Sequence, residues 1–137
     1  MPGRPHFLAP LLRSGSRTCT LGLEGRDLTI ATKILTAFDS PSRRRGLLGQ
    51  SGLADGVVLV IAPCSAVHTF RMQFPVDLIY ARRDGYILKL RAAVPPNRMS
   101  GAWGAFAVIE LPAGTIARTG VVVGDRLEIT SPFSRER

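Results

Sequence analysis

The chain is poor in cysteine, histidine and lysine, and no long apolar run interrupts it. Among 137 residues there are two cysteines, Cys19 and Cys64, two histidines, His6 and His68, and 16 of the 18 basic side chains are arginine. Cys19 and Cys64 lie far apart and lack the close pairing that a zinc ribbon needs. A domain of this length does not depend on a crosslink, so two unbridged buried thiols are expected. The one apolar stretch near the N-terminus, Phe7 to Leu12, is broken by Pro10 and closed by Arg13, too short for a signal core or a membrane span. A cytoplasmic, soluble protein without membrane association is the expectation. Aromatic residues do not interleave the basic ones, there is no internal repeat, and no regular βαβ alternation is present.

What is present is the composition of an ordinary folded domain, 45% apolar and 20% charged, able to bury roughly two thirds of the surface that its unfolded chain exposes. One core is expected, in a single domain over 17–131 between flexible tails at 1–16 and 132–137. The net charge is +8, with 8 basic against 3 acidic residues in positions 1–50. Such a surface invites phosphate through counterion release. Without interleaved aromatics, nucleic acid ranks behind other partners.

Strand signals follow one another along the chain. Thr18 to Glu24 and Leu28 to Ile34 alternate around a turn at Gly25-Arg26-Asp27 and read as a hairpin. Ser40-Pro41 reads as an N-cap followed by a helix-opening proline, giving a short helix that ends at Gly49. Val57 to Ile61 is too short for a helix and reads as a strand buried on both faces. Val76 to Arg82 and Tyr86 to Val94 flank a turn at Arg83-Asp84-Gly85, a second hairpin. Phe106 to Leu111 is a further strand, Pro112 to Thr119 a helical turn or two, and Arg126 to Thr130 the last strand. The architecture expected is mainly β, a small antiparallel β-sandwich or partly closed barrel with one or two short helices.

The order Arg45-Gly46-Leu47-Leu48-Gly49, Val57 to Ile61, Phe74-Pro75-Val76-Asp77-Leu78-Ile79-Tyr80, Asp84-Gly85, Val108-Ile109-Glu110-Leu111-Pro112-Ala113-Gly114 and Gly124-Asp125 resembles the bacterial and archaeal family called domain of unknown function 192. The resemblance runs from about Ser42 to Ile129 and implies a compact, mostly β domain of sandwich type, with no established activity to carry over. Many members have Trp-Met-Lys-Asn-Thr before the Pro-hydrophobic-Asp signature. Here those places read His68, Thr69, Phe70, Arg71 and Met72, so a role for Asp77 carries over whereas one for the Trp or Asn does not.

Unusual side chains concentrate between Cys64 and Asp77, although no complete catalytic set can be assembled from them. Cys64, His68 and Met72 are spaced C-x3-H-x3-M, like the ligand loop of a copper site, but a second histidine is wanting because His6 falls in the expected tail. No metal or cofactor is therefore expected. A Cys64 nucleophile with His68 as base needs the two within hydrogen-bond reach, whereas four positions along a strand separate them by roughly 13 Å. Asp77 either faces inward with a partner such as Arg71 or His68, or faces solvent at a strand end. The three arginines 43–45 fan around a helix and read as a solvated face. Glu110 reads as a strand-end acceptor, and Trp103 as a lid or an end plug. The leading reading is a non-catalytic domain, monomer or weak homodimer, that binds a small polar or anionic molecule or a protein partner around His68, Thr69, Arg71, Asp77, Arg98 and Trp103. A metal protein or cysteine-dependent enzyme centred on Cys64 and His68 is the alternative, and a nucleic-acid accessory acting through the basic surface the second.

Overall fold

Alternating and β-branched segments become strands, and proline and glycine end them. In the computed structural model, which describes residues 6–14 and 19–131, the order is α1 (Ala9–Ser14), β1 (Thr20–Leu23), β2 (Thr29–Ala31), β3 (Lys33–Ala37), α2 (Ser40–Arg45), β4 (Val57–Ile61), β5 (Ala66–His68), β6 (Val76–Ala81), β7 (Ile87–Val94), β8 (Met99–Gly101), β9 (Ala107–Pro112), α3 (Thr115–Thr119) and β10 (Leu127–Thr130). Three sheets result: β10-β1-β2, β3-β4-β9-β6-β7, and the two-stranded ribbon β5-β8. The mainly β fold matches the expectation, and the sheets do not close into a barrel.

Two features depart from it. Three short helices are present where one or two were expected, and β3 pairs with β4 in parallel. The stretch expected as the second strand of the first hairpin divides at Thr32. Thr29–Ala31 stays with β1, while Lys33–Ala37 moves to the larger sheet. The chain then travels through α2 and the following loop before β4, a connection long enough for a parallel crossover.

Alternation along the five-stranded sheet assigns its two faces. Ile34, Val58, Val60, Ile79, Ala81, Ile109 and Leu111 point toward the three-stranded sheet and pack with Leu21, Ile30 and Leu127. Ala37, Leu59, Ile61, Leu78, Tyr80 and Val108 point the other way into a second apolar cluster with Leu47 and Met72. β4, β6 and β9 are therefore covered on both sides, and each wholly buried aliphatic side chain there contributes about 1.5–3 kcal/mol relative to exposure.

The helices follow local chemistry. Residues 6–14 fall within the expected N-terminal tail, yet Leu8 and Leu11 are buried in the first cluster, because the turn that leads into α1, closed by Leu11 N–H donating to the Leu8 carbonyl at 2.9 Å, puts both on one side. Phe7 N–H donates to the Arg83 carbonyl at 2.8 Å. Residues 1–5, 15–18 and 132–137 lie outside the described residues. Asp39, one position earlier than expected, caps α2 by accepting from Ser42 N–H at 2.8 Å. Gly46 ends that helix at φ 49°, ψ −126°, a conformation open to glycine and costly for residues with a Cβ. Pro112 closes β9 and α3 starts three residues later than expected, ending at a left-handed Gly120.

Candidate functional site

Only one side of the larger sheet is covered by another full sheet. The opposite side is roofed by α2, the loop after it, residues 62–75 and the β5-β8 ribbon, and this patchwork leaves a cleft of about 420 Å³. Arg43, Arg44, Arg45, Cys64, His68 and Glu110 line it. Glu110 stands on β9 opposite Leu59 and Leu78, so the pleat turns its side chain into the second apolar cluster and toward the cleft floor.

Glu110 is only 3% exposed and has neither a hydrogen bond nor an ion pair among the described residues. Burial alone drives its carboxyl up to about 7, because a charge removed from water without a partner favours its neutral form. Its Oε1 lies just below the α2 terminus, where a Cβ placed on Gly46 would approach it to 3.5 Å. The nearby arginines do not neutralise it. Arg43 is engaged elsewhere, donating to the Phe38 carbonyl at 2.7 Å and to Ser40 Oγ at 3.2 Å. Arg44 and Arg45 are exposed and form no salt bridge among the described residues. The cleft thus sets a buried acid beneath a cationic rim.

Cys64 and His68 share this cleft without forming a catalytic pair. The Cys64 thiol is half-buried and donates to the Ala66 carbonyl at 3.1 Å. Burial pushes the thiol pKa up, and the charge of Glu110 adds to the effect, which suppresses the thiolate that nucleophilic chemistry requires. No disulfide joins Cys64 to Cys19. His68 is exposed, accepts from Phe70 N–H through Nδ1 at 3.3 Å, and stacks on the Phe70 ring with 5.1 Å between centroids. Met72 also lines the cleft, so the C-x3-H-x3-M residues do converge on one depression. Among the described residues, however, no group of three or more His, Cys, Asp and Glu side chains could hold a metal ion. His6 meets the Phe106 ring at a tilt of 41° and lines a different depression with Leu8, Phe38 and Pro63.

Behind Glu110 the Tyr80 hydroxyl is sealed from solvent. It interacts weakly with Ser100 Oγ and makes no hydrogen bond of good geometry. Desolvation raises its pKa, and the charges of Cys64 and Glu110 push the same way. Desolvation is thus the main cause that favours the protonated form of Cys64, Tyr80 and Glu110 alike.

The other residues expected at the site are placed elsewhere, which corrects the single pocket read from the sequence. Asp77 is 0% exposed and lies on the sheet face opposite Glu110, with the parity of Ile79 and beside Leu111. Its Oδ1 accepts from Ala93 N–H and its Oδ2 from Ile116 N–H, both at 2.8 Å. Ala93 sits at φ 49° where the β6–β7 register shifts between Val76 and Leu78, so Asp77 ties a bulge in β7 to the first turn of α3. Thr69 is 1% exposed. Its hydroxyl donates to the Pro95 carbonyl at 2.7 Å and accepts from Arg98 N–H at 2.9 Å, joining two loops. Arg71 and Arg98 are exposed and do not line the cleft with Glu110. Trp103 is 101% exposed, at a loop beside Ser65, Ala66 and Gly101, and neither lids the cleft nor plugs the sandwich. Of the proposed ligand residues, only His68 lines the cleft.

Sequence reasoning passed over Glu110 and the rim. The available signal was parity, since Glu110 lies two positions from Val108 in an apolar strand and so shares its inward face. Divergence of consecutive helical residues argues for a solvated face, yet all three arginines contribute to the lining at the end of this one-and-a-half-turn helix.

The geometry defines a small mainly β domain with a cleft on the half-roofed face of its five-stranded sheet. Residues 23–129 match the family model DUF192, described as an uncharacterized ACR, and the chain belongs to that family. It is similar in structure to a protein of unknown function from Novosphingobium aromaticivorans DSM 12444, with a TM-score of 0.69 and 22% identity over 80% of this chain and 82% of that one. It is also similar to a chain from Sinorhizobium meliloti 1021 described as a proposed transcription regulator, with a TM-score of 0.68 and 25% identity over 80% of this chain and 90% of that one. No curated protein matches the chain. Among the described residues, no helix is long and apolar enough to cross a membrane.

Proposed function

We propose that this DUF192 domain is a non-catalytic binding module for a small ligand carrying an anionic group, held in the cleft between α2 and the β4–β9 surface. The observation that carries the reading is the pair Arg44 and Arg45, exposed and without a salt bridge among the described residues, on a cleft whose floor also holds the unpartnered Glu110 carboxyl. Buried polar groups in folded chains are normally satisfied, and one that opens on a cavity of this volume is satisfied best by a bound molecule. The size suits a small molecule and not a polymer. A neutral, hydrogen-bonded thiol at Cys64 favours binding over nucleophilic chemistry.

Calorimetric titration with ethyl phosphate at low ionic strength tests this. Saturable binding is expected, weakened at least tenfold in the double variant Arg44→Ala/Arg45→Ala. Both sites are exposed, so each substitution should shift stability by no more than about 0.5 kcal/mol. Equal affinity in the wild type and the double variant, or no saturable heat, would remove the cleft as an anion site.

A second reading, the nucleic-acid accessory, is favoured by one observation. Residues 63–76 and 91–106 contain no acidic side chain, and they carry the exposed Arg71, Arg98, Phe70 and Trp103 in the loops that flank the two ends of the β5-β8 ribbon. The relative described as a proposed transcription regulator is compatible with such a partner. Fluorescence anisotropy with a single-stranded oligonucleotide should then show affinity falling steeply with salt, and Trp103→Ala should cost about 1–3 kcal/mol of binding. A Trp103→Ala variant that binds as the wild type does would count against a stacking role.

A further inference from the structure

Resting on the cleft reading above, we infer that the ligand is amphoteric: it presents a protonated amine to Glu110 and an anionic group, phosphate or carboxylate, to Arg44 and Arg45. An anion alone leaves the chemistry of the cleft half used. It would answer the exposed guanidinium groups and leave the 3% exposed carboxyl below them without a partner. The chain supplies no cation for that carboxyl: Arg43 donates to the Phe38 carbonyl and Ser40 Oγ, and no described salt bridge includes Glu110. Nor does a backbone N–H reach it. The Gly46 N–H, closest along the roof, is engaged with the Ser42 carbonyl at 2.9 Å.

An ammonium group is the complement that such a floor selects. It carries the opposite charge and up to three donors, and it would convert a poorly solvated carboxyl into half of a hydrogen-bonded ion pair. A metal ion is disfavoured by the donor set, because among the described residues Glu110 lacks the two further His, Cys, Asp or Glu ligands that would complete a site. The absence of a side chain at Gly46 keeps the space directly over Oε1 open. The ionisable groups facing Glu110 are Cys64 beside it, Tyr80 behind it, and His68 with the three arginines around the cleft. Cys64 and Tyr80 are held neutral, so Glu110 is the acid that answers an incoming ammonium. Since its carboxyl is pushed up to about 7, pairing with the ammonium should draw off part of a proton at neutral pH.

Three probes separate the parts: O-phosphoethanolamine, ethyl phosphate and ethanolamine. Isothermal titration at pH 7 should give O-phosphoethanolamine at least a tenfold lower Kd than ethyl phosphate, with ethanolamine weakest. Titrations in buffers of different ionisation enthalpy should show more proton release with O-phosphoethanolamine than with ethyl phosphate, whose own second ionisation at about 6 supplies part of a proton, and the excess should vanish in Glu110→Gln. In Glu110→Gln the preference for the amine should collapse to about onefold. If ethyl phosphate binds and the amine brings neither added affinity nor added proton release, the amphoteric ligand is wrong while the anion cleft stands. If a tenfold preference persists in Glu110→Gln, the amine is read elsewhere and the inference fails. If no probe binds, both readings fall together.

Discussion

Glu110→Gln is expected to make the unliganded protein more stable at pH 8, and to do so less and less as the pH is lowered. The carboxyl is held at about 7 in the folded chain against 4.5 as its ordinary value. Between these values the unfolded chain has released the proton and the folded chain retains it, so folding loses stability as pH rises. Below 4.5 the group is neutral in both states and exerts no pH-dependent penalty. Above 7 the penalty is complete and constant. A displacement of this size corresponds to about 3 kcal/mol. A glutamine amide without partners is itself costly to bury, which reduces the net gain at pH 8 to about 1–3 kcal/mol, or roughly 3–10 °C in Tm. Thermal or denaturant unfolding of both proteins from pH 4.5 to 8.5 measures it. Titrating groups away from the cleft, such as the partly desolvated His6 whose pKa is lowered, are common to the two proteins and cancel in the difference. A difference that stays flat across this range would mean that Glu110 ionises as an ordinary solvated acid.

Asp77→Ala should be the most damaging single polar substitution in the chain. Asp77 is wholly buried and bonds two backbone N–H groups that belong to separate elements, Ala93 in the β7 bulge and Ile116 in α3. Removing the carboxylate leaves both donors without their acceptor and opens a small void. At about 1–3 kcal/mol for each lost partner, the expected cost is about 3–5 kcal/mol. Asp77→Asn keeps one acceptor oxygen and turns an NH2 group toward the other donor, so it should fall between the alanine variant and the wild type. Denaturant titration gives the magnitude. Amide hydrogen exchange locates it, with protection lost first at Ala93 and Ile116. Because Asp77 and Glu110 point to opposite sides of one sheet, ethyl phosphate affinity of the folded Asp77→Asn protein should equal that of the wild type. A stability change within 0.5 kcal/mol for Asp77→Ala would contradict the tie described here.

These two carboxylates show what could be read from residue order and what could not. Asp77 drew attention because it interrupts an apolar run within a family signature, and it does prove to be buried and fully bonded. Its partners, though, are backbone groups 16 and 39 positions away, and no local pattern points to them. Glu110 looked ordinary because it sits near a strand end before Pro112. Its parity with Val108 was legible, but parity identifies a functional face only when one knows which side of the sheet is incompletely covered. With β6 and β9 buried throughout, alternation of polar and apolar residues is absent, and the two faces look alike in the sequence. Thr69 and Arg98 do prove to be neighbours, but their contact fastens two loops and does not frame the cleft.

Residue order suffices for the mainly β class, the strands read over Val57 to Ile61, Val76 to Arg82 and Tyr86 to Val94, the short helix opening near Ser40-Pro41, and the family pattern. Each of these follows from interactions within a few residues: side-chain period, β-branching, capping and the refusal of proline to donate. Only the tertiary structure decided that β3 runs parallel to β4, that Leu8 and Leu11 join the core, and that Glu110 shares a cleft with Arg44, Arg45 and Cys64 while Asp77 lies behind the sheet. Those outcomes depend on which surfaces meet across long loops, and burial, desolvation and the loss of a partner are properties of that meeting and not of any residue alone.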